Sequence, residues 1–236
     1  ILAKSLGLPA VVACPGASAL VDGDAVLVDG EEGTVVVAEE AGAVAIALTR
    51  QAARRDALAR STGPGATADG HGVQLLVNLG GERDLATAAA TDSEGVGLFR
   101  TEFLFLDRPH APTVEEQEGV YARVFRAFAG RKVVVRTLDA GADKPLRFVT
   151  TPDEPNPALG VRGLRTARRH PELLEQQLAA IARAAASCDA LVWVMAPMVS
   201  TAAEAGAFAQ RVYAQGLRMA GAMIEVPAAA LREHQV

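Results

Sequence analysis

Aromatic residues are scarce, 4% of a 236-residue chain with one Trp, two Tyr and seven Phe. Half of the residues are hydrophobic, so any core must be aliphatic and rich in alanine. Cysteine is scarcer still. Cys14 and Cys188 cannot make a disulfide framework, and a reducing, cytoplasmic setting is expected. No apolar run approaches the ~18 residues of a membrane span. Excess positive charge is missing too. A net charge of −5 argues against a nucleic acid or membrane held by a basic surface. Lysine supplies only 3 of the 23 basic residues, a compositional bias without chemical content. The common nucleotide motifs are absent: there is no G-x-x-x-x-G-K-[ST] and no G-x-G-x-x-G after a strand. The opening "ILAKSLGLPAVV" has no basic leader with a cleavage site and does not read as a signal peptide.

What is present is a change of pattern along the chain. Residues 1–7 read as the end of a helix stopped by Gly7 and Pro9, and "PAVVAC" as a short strand. "ALVDGDAVLVDGEEGTVVVA" gives two further strand-like runs with Asp-Gly and Glu-Gly turns. Residues 39 to about 60 read as a solvated helix, and "STGPGATADGHG" (61–72) as a linker. Beyond it, strand and helix alternate five times. "VQLLVNLG", "GVGLFRTEFLF", "KVVVRTLDAG", "ALVWVMAPMV" and "AGAMIEVPAA" are the strands. In "TVEEQEGVYARVFRAFAG", Thr113 and Glu116 make a capping box. Apolar strands separated by helices predict a parallel sheet covered on its outer face. The fold class is α/β, with about five strands of a (β/α)8 TIM-type barrel. A closed barrel needs eight strands and ~250 residues, so both ends of the chain read as cut.

The chemistry gathers where these strands stop. Asn78, Arg100-Thr101-Glu102, Arg136 with Asp139, Ser200 and Glu225 all come after apolar runs. In parallel α/β folds that end carries the site. A single such residue is more often a pairing or capping group, but two arginines and a glutamate at successive strand ends favour a site. Paired arginines bind a multiply charged planar anion through bidentate forks. A carboxylate beside them suits Mg²⁺. Together they suggest a small phosphorylated acid.

Four segments, "GVGLFRTEFLFLDR", "VVVRTLDAGADKP", "NPALGVRGLR" and "MIEVPAAA", resemble in order and spacing enzyme I of the bacterial sugar phosphotransferase system, a phosphoenolpyruvate-protein phosphotransferase of the PEP-utilising enzymes. The start resembles the segment just after that family's phosphohistidine. The resemblance implies a partial swivelling phosphohistidine domain at 1–38, a connecting helix and linker at 39–70, and a partial PEP-binding barrel at 71–236. It implies that Arg100 and Arg136 grip the phosphoryl and carboxylate groups, that Arg162 and Lys144 add positive charge, and that Glu225 is one of two acidic Mg²⁺ ligands. Asn78 lines the mouth without an assigned role. Phosphoryl transfer from phosphoenolpyruvate to a histidine and on to the carrier protein HPr, in a homodimer, is the implied activity.

Departures are also visible. No catalytic residue of the family falls within the chain: the phosphohistidine is expected before Ile1 and the proton-donating cysteine after Val236, so the piece is expected to be inactive alone. His71, His110, His170 and His234 read as loop or helix-end residues. Cys14 and Cys188 read as small packing residues. Ala142 stands where the family usually has Gly. Phe103 stands where pyruvate phosphate dikinase usually has His. A piece of that enzyme or of a PEP synthase, or a non-catalytic stable fragment, are the alternatives.

Overall fold

The computed structural model describes residues 3, 8–37, 41–149 and 154–236, which divide into two compact units, Ile1–Gly63 and Pro64–Val236. Most of the helix end expected at 1–7 lies outside the described residues.

In the first unit, β1 (Val26–Asp29) and β2 (Thr34–Val37) form an antiparallel hairpin with Val26 opposite Val37. Its turn is made locally. The Asp29 carboxylate accepts from the backbone N–H groups of Glu31 (2.9 Å) and Glu32 (3.0 Å), and Gly33 supplies a positive φ. The expected strand at 9–14 is a correction. It makes no ladder, and Pro15–Ala19 is a 3₁₀ helix instead. Pro9 has no N–H to give a ladder, and Ala13 takes a φ of 54°, which ends an extended run. Helix α1 (Ala41–Arg60) is largely exposed. Arg54 reaches back to Glu31 (3.3 Å) and Glu32 (2.8 Å), exposed pairs that add little stability.

The second unit opens with a minimal antiparallel ladder, β3 (Gly65–Ala66) with β4 (Gly72–Val73). The Gly- and Thr-rich stretch at 61–72 is therefore not wholly irregular. Five further strands come after it: β5 (Val77–Leu79), β6 (Gly95–Arg100), β7 (Lys132–Arg136), β8 (Leu191–Ala196) and β9 (Ala220–Ala222). They lie in chain order and every pairing is parallel. Helices α2 (Leu85–Ala90), α3 (Val114–Ala127), α4 (Thr166–Arg169), α5 (Pro171–Ala186), α6 (Ala202–Ala214) and α7 (Pro227–Ala230) connect or succeed them. No helix among the described residues is long and apolar enough to cross a membrane.

Strand alternation decides which face is buried. Phe99, Val133, Val135 and Val194 are almost wholly buried. They pack with Val120, Val124 and Phe125 of α3, Leu178 and Ile181 of α5, and Phe208 and Val212 of α6 in one core. Each large side chain so buried contributes about 1.5–3 kcal/mol. On β8, by contrast, Leu191 and Trp193 remain partly exposed on the opposite face. The capping box of α3 forms as expected: Glu116 N–H donates to Thr113 Oγ1 and Thr113 N–H to Glu116 Oε2. An equivalent box on α6 joins Thr201 and Glu204.

The expected strand through Phe105 is corrected as well. It ends at Arg100, and Glu102–Leu104 turns as a 3₁₀ helix. Thr101 is fully buried there, its hydroxyl bonded to the next strand, which holds the chain in the turn. Strands β5 and β9 are only three residues each, shorter than the apolar runs that contain them.

Gly95 is a fixed point of the sheet. Its φ is 145°, and a methyl group there would lie 2.2 Å from the Lys132 carbonyl oxygen. Backbone cannot yield as a side-chain tip can. Gly95→Ala is expected to destabilise the protein by roughly 2 kcal/mol or more, read as a lower denaturation midpoint. Gly130→Ala, with a positive φ but open space around it, should cost about 1 kcal/mol.

Candidate functional site

Arg100 and Arg136 end adjacent strands and are direct partners in the parallel register. Phe99 and Val135, one residue earlier, face the core. Alternation therefore sends both guanidinium groups to the face away from the helices. Their environments differ sharply. Arg136 is buried and pairs with two buried carboxylates, Glu102 through Nη2 and Asp139 through Nη1 at 3.2 Å. Arg100 is half-buried and has no carboxylate partner among the described residues.

Asp139 is the hub of the cluster. Its side chain is only 3% exposed, and Oδ2 forms an ion pair with Arg136 Nη1. Arg162 clamps the same carboxylate with both sides of its fork, Nε to Oδ1 and Nη2 to Oδ2, each at 3.1 Å. Arg162 also reaches Asp143 at 3.2 Å. Burial pulls the Arg162 guanidinium down. The hydrogen bonds and charge of Asp139, with the charges of Asp143 and Glu225, outweigh it and leave the group above its ordinary value. It is a fixed cation. Lys144, a surface-reaching side chain, stands 4.0 Å from Glu102 Oε1.

The loop bearing Arg162 is docked rather than free. Gly163 N–H donates to the Ala140 carbonyl (3.2 Å) and Leu164 N–H to that of Pro197 (3.3 Å). Gly163 has a φ of 54°, and a methyl there would meet Met198 Cγ at 2.9 Å. Arg165 adds bonds to the Leu159 and Gly160 carbonyls and to Ser200 Oγ. The segments after β7 and β8 thus fix where Arg162 stands.

Glu225 comes after β9. It is exposed, and Oε1 accepts from Met198 N–H at 2.8 Å. No group of three His, Cys, Asp or Glu side chains able to hold a metal exists among the described residues. One exposed carboxylate matches the donor set of Mg²⁺, which is usually held by one or two carboxylates and keeps water and substrate oxygens for the rest.

The structure therefore brings Arg136, Arg162 and Lys144 into one cluster through Glu102 and Asp139. Arg100 stands beside it in register, and Glu225 stands near enough for its charge to act on Arg162. Asn78 is exposed in the middle of β5 rather than at its end. His71, His110 and His234 are exposed, and His170 lies 3.2 Å from Glu172. Cys14 and Cys188 are free and half-buried. The bridging roles of Glu102 and Asp139 have no signature in spacing. Both read only as polar residues at strand ends.

Fold and site together define an α/β protein with a cluster of arginines and carboxylates at the carboxyl ends of a parallel sheet. Residues 54–236 match the family described as PEP-utilising enzyme, PEP-binding domain, and residues 1–33 match PEP-utilising enzyme, mobile domain. The chain belongs to the PEP-utilising enzyme family. It is 53% identical over its whole length to a phosphoenolpyruvate-protein phosphotransferase of Streptomyces coelicolor and 41% identical to one of Haloferax volcanii. It covers 43% of each of those relatives. It is 39% identical over 98% of its length to a multiphosphoryl transfer protein of Xanthomonas campestris, covering 29% of that protein.

Asp139→Asn removes the shared counter-charge of two arginines while keeping the side chain's shape. It is expected to cost about 3 kcal/mol of stability, measured by urea unfolding. Glu115→Gln, which weakens one exposed pair with Arg183, should leave the urea midpoint essentially unchanged.

Proposed function

We propose that this chain forms the phosphoenolpyruvate-binding part of a phosphotransferase that moves the phosphoryl group from phosphoenolpyruvate to a histidine and then to the carrier protein HPr. The carrying observation is the in-register pair of Arg100 and Arg136 at the strand ends. Arg136 is held rigid by carboxylates, and Arg100 is left uncommitted. Support comes from family membership and from relatives named phosphoenolpyruvate-protein phosphotransferase. On this reading the five strands belong to a (β/α)8 barrel and the whole protein works as a dimer in the cytoplasm.

Phosphoryl transfer spreads charge over equatorial oxygens and asks the protein mainly for positioning and charge stabilisation. Arg100 offers a free fork for the anion. Arg136 and Arg162 present guanidinium groups whose orientation is set before substrate arrives, so little reorganisation is needed. Lys144 adds a mobile charge at the rim. Glu225 would hold Mg²⁺, which when bound supplies further positive charge for substrate oxygens.

Incubating the full-length protein with labelled phosphoenolpyruvate and Mg²⁺ is expected to give an acid-labile, base-stable phosphohistidine that HPr then discharges. Absence of such label, or retention of it in the presence of HPr, would overturn the reading. Arg136→Lys keeps the charge but loses the fork, so it should lower kcat/KM for phosphoenolpyruvate by roughly ten- to a hundredfold. Wild-type kinetics in that variant would remove Arg136 from the site. Glu225→Gln is expected to shift the Mg²⁺ titration of activity to higher concentration. Superimposable titrations would contradict a ligand role.

A further inference from the structure

Behind the arginines lies a continuous chain of buried hydrogen bonds whose centre, Gln177 on α5, is 1% exposed. Both ends of its amide are engaged. Gln177 Oε1 accepts from Leu138 N–H at 2.9 Å, and Nε2 donates to Thr101 Oγ1 and to the Tyr121 hydroxyl, each at 3.0 Å. Thr101 Oγ1 in turn donates to the Arg136 carbonyl at 2.8 Å. On the far side the Tyr121 hydroxyl donates to Gln117 Oε1 at 3.4 Å, and Gln117 Nε2 donates to the Pro112 carbonyl at 3.0 Å. Burial pushes the Tyr121 phenol well up against the opposing hydrogen bond from Gln177, so it stays a neutral link at any working pH.

The places this chain touches are informative. Thr101 is the residue directly after Arg100. Leu138 lies between Arg136 and Asp139. One side-chain amide thus sets the backbone on both strand ends that carry the arginines, and it sets the segment from which Asp139 holds Arg136 and Arg162. An apolar residue of similar size would fill the space but orphan the Leu138 N–H and leave the Tyr121 hydroxyl with only its 3.4 Å bond to Gln117. Such groups are costly to leave unpaired in a dry interior. The backbone would then move to find other partners.

We propose that Gln177 is a positioning residue of the phosphoenolpyruvate site, acting through Thr101 and Leu138 on Arg100, Arg136 and Asp139. This rests on the phosphoenolpyruvate reading above. A displacement of about 1 Å at a reacting group can cost up to a hundredfold in rate, so a hydrogen-bonded frame directly behind the arginines has leverage on the chemistry.

The test uses the full-length protein and reads kcat/KM for phosphoenolpyruvate, together with hydrogen exchange at the Leu138 amide. Gln177→Leu is expected to lower kcat/KM about tenfold and to speed exchange at Leu138. In an Arg136→Lys background the same substitution should add clearly less than its tenfold effect on the wild type, because one of the groups it positions is already lost. Thr101→Val should reproduce the loss, and Thr101→Ser, which keeps the hydroxyl, should restore it. Val212→Ala, a core change on α6 outside the hydrogen-bonded chain, should lower the thermal midpoint without this kinetic pattern. A folded Gln177→Leu with kcat/KM within twofold of wild type would overturn the proposal. So would a loss that adds in full to that of Arg136→Lys. If Gln177→Leu does not fold, the Thr101→Val and Thr101→Ser pair decides by the same criteria. A wild-type protein that takes no label from phosphoenolpyruvate, yet exchanges Leu138 faster in Gln177→Leu, would overturn the functional reading on which the catalytic role depends.

Discussion

Guanidinium groups at neighbouring strand ends repel one another and lose hydration as they are buried, so they persist only where counter-charge is built in. Asp139 is the counter-charge shared here, bridging Arg136 and Arg162 at 3.1–3.2 Å while itself only 3% exposed. Glu102 supplies the second buried carboxylate to Arg136. Removing either leaves buried charge short of a partner, the case in which ion pairs matter most. The turn after β6, the segment after β7 and the loop carrying Arg162 all converge on these two carboxylates. One consequence is an unequal pair of cations. Arg136 is committed and oriented, while Arg100 has no carboxylate partner among the described residues.

The helix layer fixes this arrangement from behind. Val133 and Val135 face α3 and α5 at essentially zero exposure, which forces Arg136 onto the opposite face. The polar exception in that layer is the Gln117–Tyr121–Gln177–Thr101 chain. Its groups are buried and bonded to one another and to backbone at both ends. Such a chain is directional where an aliphatic core is not. It favours one register of the strand ends over neighbouring ones, whereas apolar contacts would tolerate small slides.

How much was legible depends on the range of each interaction. Five apolar runs separated by amphipathic stretches announced a parallel α/β sheet, and Thr113 with Glu116 announced the start of α3. Both signals act within a few residues. The strand read into "PAVVAC" failed because apolar β-branched residues suggest extension, whereas Pro9 and the left-handed Ala13 deny it a ladder. The stretch through Phe105 failed differently. Its apolar character was genuine, but a contact 35 residues away, Thr101 to the Arg136 carbonyl, turned the chain. The short helices at 166–169 and 227–230 carry too few residues to show a period.

The sequence by itself determined the class of fold, the order of strands and helices, and the placing of Arg100, Arg136 and Glu225 at or beyond strand ends, because periodicity and turn chemistry are local; Arg162 and Lys144 were singled out only by the family resemblance. Only the tertiary structure decided which arginine is bound by carboxylates and which is left open, and that Gln177 sits behind both. Apart from the Arg136–Asp139 pair, three positions apart, those outcomes depend on contacts between residues 23 to 76 positions apart. A contact of that span leaves no period or spacing in the chain. It exists only once the sheet has set Arg100 beside Arg136 and the helices have sealed the other face from water.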